Sequence, residues 1–317
     1  MSQVAAETEL LLELTEPAAE LLDEHYRKAK PWYPHEFVNW DAAAAYPSRD
    51  EWEANPKPLD DLSPGAKSAL IVNLLTEDNL PHYFRTIEQF APSRDHPLGE
   101  WSRQWTAEEG RHSIVIRDGL TAAQLVNPWE LEEDRMRQVG DGLVPDPASP
   151  LDMFTYVSLQ ELATRVSHKK TGNALRGSEV AREHMLPKIM GRVAADEALH
   201  TDFYRGITKA AFERRPSETM QALARQLGSF AMPGTGIRGF ARHALNIAAE
   251  GIYDLNVHRE EVVKPTLDAF DIEHIEGLDE AGETARIEIV AAIEELNRDA
   301  DRQAELLARW QQKKQNQ

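Results

Sequence analysis

The side chains best suited to chemistry lie in two short segments, Glu109-Gly110-Arg111-His112 and Glu197-Ala198-Leu199-His200. Three residues of helix bring glutamate and histidine to nearly the same face, where both reach a single metal ion. Two of the 11 histidines have glutamate three positions earlier. With glutamate this common, about one such pair arises by chance, so either pair alone carries little weight. Their order along the chain carries more. Glu77 precedes the first pair and Glu161 lies between the two, so the chain reads Glu, Glu-x-x-His, Glu, Glu-x-x-His. Four helices presenting that set from facing positions can close the carboxylate-histidine site of a di-iron bundle.

Taken singly, each of the six reads as well as an exposed helix charge or a satisfied polar histidine. Collectively their surroundings oppose that reading. Leu74, Leu75, Leu80, Tyr156, Leu159, Leu162, Val193 and Ala194 make these helix faces apolar, and a glutamate on an apolar face needs a partner. The chain has no cysteine, which excludes disulfides, thiolate metal sites and a cysteine nucleophile, so any metal is held by oxygen and nitrogen. Two divalent ions balance the charge of four glutamates. That balance supports iron in particular, and the oxygen and imidazole ligands also suit manganese.

The elements that must position these groups are helical. Residues 63 to 90 open on Ser63-Pro64, a cap followed by proline in the first turn, and continue with apolar periodicity. Pro81 falls inside that pattern and is expected to bend the helix just after Glu77. Further helices are expected over about 98 to 120, 128 to 138, 151 to 169 and 178 to 213, the last ending before Pro216. Gly140, Gly142, Pro145, Pro147 and Pro150 mark a loop. Helices near 217 to 229 and 236 to 254, a turn at Pro265 and a charged helix over about 281 to 312 complete the pattern. Period-2 alternation is never sustained, so the fold class is all-α, a helix bundle. A single domain over 1 to 317 is expected, with mobile ends at about 1 to 12 and 311 to 317.

A net charge of −19 disfavours nucleic acid as a partner. No stretch approaches the 18 or so uninterrupted apolar residues of a membrane helix, and the N-terminal run lacks a basic leader, so a cytoplasmic protein is expected. An acidic partner would need a local basic patch. His168, Lys169, Lys170 and Arg176, with Arg205, Lys209, Arg214 and Arg215, are the richest candidates, though such a run also reads as an ordinary solvated surface.

Four segments together resemble the ligand regions of the soluble acyl-carrier-protein desaturases of plants and actinobacteria. They are Leu75-Thr76-Glu77-Asp78-Asn79-Leu80-Pro81, Trp105-Thr106-Ala107-Glu108-Glu109-Gly110-Arg111-His112, Gln160-Glu161-Leu162-Ala163-Thr164 and Ala195-Asp196-Glu197-Ala198-Leu199-His200. With Trp32-Tyr33-Pro34-His35-Glu36-Phe37, the resemblance spans about residues 30 to 210. It implies a ferritin-like four-helix di-iron core within a larger bundle. One iron would be held by Glu77, Glu109 and His112 and the other by Glu161, Glu197 and His200, with Glu109 and Glu197 bridging. Thr164 would lie near the oxygen-binding side, although its hydroxyl could equally bond the carbonyl four residues back. Asp196, orienting His112, and Trp32 would lie on the electron route, and Trp32 reads equally as a core anchor. Gly110, Ser113, Ile114 and Ala198-Leu199 depart from the plant pattern without touching a ligand.

The activity implied is oxygen-dependent insertion of a cis double bond into a fatty acyl chain carried on acyl carrier protein, with electrons from a ferredoxin, by a homodimer. The competing readings are another ferritin-like di-iron protein, whether oxygenase or iron store, and a metal-free scaffold descended from the enzyme. A ribonucleotide reductase radical subunit needs a tyrosine about one turn after the first histidine, where this chain has Ile116.

Overall fold

The computed structural model describes residues 3–43, 48–55, 62–232 and 234–315. Among them there is no strand. The helices are α1 (Gln3–Glu13), α2 (Thr15–Lys28), α3 (Arg49–Ala54), α4 (Pro64–Glu77), α5 (Leu80–Glu88), α6 (Pro97–Ala122), α7 (Pro128–Asp141) and α8 (Pro150–Ala174). They continue with α9 (Glu179–Glu183), α10 (Leu186–Arg214), α11 (Pro216–Ser229), α12 (Phe240–Ala249), α13 (Leu255–His258), α14 (Lys264–Phe270) and α15 (Glu280–Gln315).

Local chemistry explains the boundaries. Ser63 accepts a hydrogen bond from the Ala66 amide, Asn127 from Trp129 and Glu130, and Ser149 from Asp152, each beside a proline that loses no helical bond in the first turn. Two long helices expected from periodicity are each split in two. Instead of bending, the first ends at Glu77, and Pro81 joins the first turn of α5, because a proline there cannot bond back to the Glu77 carbonyl. The second breaks at Met185, whose φ of 59° is left-handed, and Pro187 then starts α10. Pro265, expected in a turn, sits in the first turn of α14 instead. A π-helical segment, Arg259–Val263, joins α13 to α14 and changes the bonding register ahead of that proline.

Both ends of the described chain are helical. Residues 3 to 13 form a helix that buries Leu10 and Leu11, and α15 runs on to Gln315; residues 1–2 and 316–317 lie outside the described residues. The helix expected from 236 starts at Phe240, after a turn in which Gly234 and Gly239 take positive φ.

The helices α4, α6, α8 and α10 form the centre. The last two lie side by side along most of their length, α6 packs on α4 and α10, and α2 covers the groove between α6 and α10. α6 meets α10 closely at Gly119, where an added Cβ would stand 2.8 Å from the terminal methyl groups of Ile189 and Leu186. Two apolar clusters flank the four helices, one built on Trp101, Trp105, Phe154 and Phe203, the other on Leu70, Leu74, Ile116 and Val193. No helix among the described residues is long and apolar enough to cross a membrane.

Candidate metal centre

All six sequence-predicted ligand residues meet between those clusters. Glu77 is the last residue of α4, Glu109 and His112 lie on α6, Glu161 on α8, and Glu197 and His200 on α10; all are buried. They form two overlapping groups, Glu77, Glu109, His112 and Glu197, and Glu109, Glu161, Glu197 and His200. Within each group one ligand atom per residue lies within 4.8 Å of the others. Glu109 and Glu197 belong to both. The Nδ1 of His112 stands 3.2 Å from Glu109 Oε2, 3.6 Å from Glu197 Oε1 and 3.6 Å from Glu77 Oε2. That of His200 stands 2.8 Å from Glu109 Oε1, 3.7 Å from Glu197 Oε2 and 3.6 Å from Glu161 Oε2. Each shared glutamate therefore turns one oxygen toward each histidine.

These atoms fit a cation better than they fit one another. The Nδ1 atoms of His112 and His200, Oε1 of Glu109 and the Oε2 atoms of Glu161 and Glu197 are buried and lack a hydrogen-bond partner of acceptable geometry, even where the distance is short. Unmatched buried polar atoms are costly and rare, and here they converge on one place. The electrostatics make the same demand for positive charge. Burial and the charge of Glu197 push the Glu161 carboxyl well above its ordinary range, and Glu109 is raised for the same reasons. Burial also opposes charge on His112 and His200, but the surrounding carboxylates outweigh it and hold both imidazoles well above their usual pKa. Oxygen and imidazole donors of this kind suit divalent iron or manganese.

An outer layer holds the ligands. Asp196 Oδ2 accepts from Trp32 Nε1 at 2.7 Å, from Arg111 at 3.1 Å and from His112 Nε2 at 3.4 Å. Burial works against the charge on Asp196, yet the bond and charge of His112, the charge of His200 and the Trp32 bond bring its pKa down to about 2. Trp32 is buried, with the Arg111 guanidinium 4.9 Å above its ring. The sequence reading missed the counterpart on the other side. Glu108 accepts from His200 Nε2 at 2.9 Å, from His25 of α2 at 3.1 Å and from Gln104 at 2.7 Å. A signal for it existed: an acid directly precedes the ligand glutamate in both pairs, and each acid holds the histidine of the other pair. With Nε2–H donated outward, each imidazole turns Nδ1 inward, where a bound cation would take the place of its proton. Trp105 Nε1 donates to Glu161 Oε1 at 3.0 Å.

The Thr164 hydroxyl donates to the carbonyls of Gln160 and Glu161, at 3.1 and 3.0 Å. Its side chain also borders a cavity of about 320 Å³ that reaches Glu77 and is walled by Phe230, Met232, Ile247, Ala248 and Leu296.

The basic patch does not assemble as read from sequence. His168 is buried, and its Nε2 lies 2.8 Å from Glu77 Oε1 and 3.4 Å from Glu197 Oε1. Lys170 pairs with Glu261 at 2.7 Å, Arg205 bonds Thr266, and Arg214 and Arg215 bond the end of α1 at Glu13. Lys169, Arg176 and Lys209 are exposed.

Comparison with known proteins gives the family. A family model described as fatty acid desaturase matches residues 6–317. An acyl-[acyl-carrier-protein] desaturase of Mycobacterium tuberculosis, DesA1, is 36% identical over 312 residues, 95% of this chain and 89% of its own length. The chloroplastic acyl-[acyl-carrier-protein] desaturase 7 of rice is 32% identical over 204 residues, 61% of this chain and 49% of the rice protein. The crystal structure of DesA2, an acyl-ACP desaturase from Mycobacterium tuberculosis, shares the fold with a TM-score of 0.66 at 19% identity, covering 87% of this chain and 99% of that one. Matched over nearly its whole length, the chain belongs to the fatty acid desaturase family.

Proposed function

We propose that Glu77, Glu109, His112, Glu161, Glu197 and His200 hold two iron ions, and that the protein inserts a cis double bond into a fatty acyl chain carried on acyl carrier protein. One observation carries the reading: two ligand groups share Glu109 and Glu197, and their unmatched atoms converge beside a largely apolar cavity. The metal pair, when bound and reduced, supplies the oxygen chemistry that no side chain of this protein can perform. Removing two hydrogens from adjacent methylenes takes two electrons from the chain, and two more electrons and two protons come from outside, so that one oxygen molecule leaves as two waters.

The protein's own groups do the positioning. Asp196 and Glu108 fix the two imidazoles with Nδ1 inward. The cavity, bordered by Glu77 and Thr164, receives the acyl chain, and the depth to which the chain enters decides which carbons are presented. Trp32, in contact with Asp196, which in turn holds His112, is a path for electrons from a ferredoxin. Lys169 and Arg176, exposed on an acidic chain, form the docking face for the acidic carrier protein. Activity as a cytoplasmic homodimer, each chain a single domain, completes the reading.

The test is incubation of iron-loaded protein with reductant, oxygen and a series of acyl carrier proteins bearing different chains, followed by mass spectrometry. A product two mass units lighter, dependent on iron and oxygen, is expected. No desaturated product from any chain, despite two irons per protein, would refute the proposed activity.

A further inference from the structure

The two terminal carboxylates of the site are held by different chemistry. Glu161 is tied by the indole N–H of Trp105. Glu77 is tied by His168, which stands two helical turns beyond Glu161 on α8 and belongs to no ligand group. Glu77 needs the firmer hold, because it is the last residue of α4 before the chain breaks. It also borders the cavity, which gives its side chain somewhere to turn.

Carboxylates only accept, so the contacts of His168 Nε2, 2.8 Å to Glu77 Oε1 and 3.4 Å to Glu197 Oε1, require that nitrogen to carry a hydrogen. Holding Oε1 leaves Oε2 as the atom that Glu77 turns toward His112. The backbone around this contact is bolted. One turn before Glu77, Asn73 accepts from Ser167 at 2.9 Å and donates to Thr171 at 3.2 Å, which locks α4 against α8 on both sides of His168.

Given the metal pair proposed above, we infer that His168 is a positioning residue that holds the Glu77 carboxylate at the metal site and out of the cavity. A Glu77 free to swing into the cavity would hold its ion less well and crowd the reacting carbons.

The test compares His168→Leu and His168→Gln in the full chain loaded with 57Fe(II). Glutamine offers an N–H from nearly the same place; leucine offers none. For His168→Leu, with unchanged helical circular dichroism, one of the two irons is expected to pass to a ferrous chelator about 10- to 100-fold faster than in the parent, the size of effect such outer partners have on metal affinity. The Mössbauer doublet of one site should shift, and kcat should fall more than KM rises. His168→Gln should restore release to within a few-fold. Two irons released at the parental rate from His168→Leu, with an unaltered spectrum, would overturn the inference. If leucine prevents folding, His168→Met is read by the same outcomes. Failure of both to fold, with a normal His168→Gln, would make residue 168 a structural anchor and also overturn it. Parent protein that binds no iron would defeat the metal reading itself, a result distinct from iron that is indifferent to residue 168.

Discussion

Replacing Glu108 by alanine should damage stability and metal retention together. In the native structure this carboxylate receives His200 Nε2 at 2.9 Å, His25 Nε2 at 3.1 Å and Gln104 at 2.7 Å, in a buried position. Its removal leaves two imidazole N–H groups unmet in the interior. Each charge-assisted bond is worth about 1.5–3 kcal/mol, and breaking a buried pair by deleting one partner costs about 3–5 kcal/mol. A loss of about 3–5 kcal/mol is therefore expected in the metal-free protein, with melting about 2–4 °C lower per kcal/mol. Glu108→Gln keeps the volume and one acceptor, so it should satisfy one histidine and lose roughly half as much. Because Glu108 also holds the His200 ring with Nδ1 turned toward the site, iron on the Glu161 side should bind about 10- to 100-fold more weakly in either variant. Gln104→Ala is the control, expected to cost about 1 kcal/mol and leave both irons in place. Thermal unfolding and elemental analysis measure all three. A Glu108→Ala protein within 1 kcal/mol of the parent and carrying two irons would refute the reasoning.

Three further outcomes are expected. Glu77→Ala and His200→Ala should each lose iron and oxygen reactivity while keeping their helical circular dichroism; two irons retained by both would exclude these residues as ligands. Ala248→Phe intrudes on the cavity and should shift preference toward shorter acyl chains, with about 0.8 kcal/mol, roughly fourfold in kcat/KM, lost for each methylene that no longer fits; an unchanged chain-length profile would place the acyl chain elsewhere. His258, stacked on Phe230 and bonded to Tyr253, is held by burial at about 4, below its unfolded value of 6.5. In that window the unfolded chain takes up the proton and the folded one does not. Its contribution is whole above pH 6.5 and is lost as pH falls toward 4, about 3 kcal/mol in all. Urea unfolding from pH 7 to 4.5 should show that slope reduced in His258→Asn, and equal slopes would refute it.

Much of the fold was legible because its signals are local. Ser63-Pro64 marks a helix start through a bond made within one turn, whereas Pro150, read as the end of a loop, opens α8 on the Ser149 cap. The pairing of Glu109 with His112 and of Glu197 with His200 follows from helical geometry alone. Two long periodic stretches concealed breaks, at residues 78–79 and at Met185, since periodicity continues across an interruption that one backbone torsion creates. The α1 helix was not legible because Leu10 and Leu11 bury themselves against parts of the chain far away in sequence.

His168 is the instructive case. Beside Lys169, Lys170 and Arg176 it read as surface, yet α8 is enclosed by α4, α10 and α11 and turns that residue to Glu77, 91 positions earlier. Glu108 likewise meets His25 across 83 residues and His200 across 92. By itself the sequence determined which residue types share a helix face, because that depends only on the 100° step between neighbours. Which face is buried, and which distant side chain completes each hydrogen bond, was decided by tertiary packing, because desolvation and pairing arise only when the helices meet.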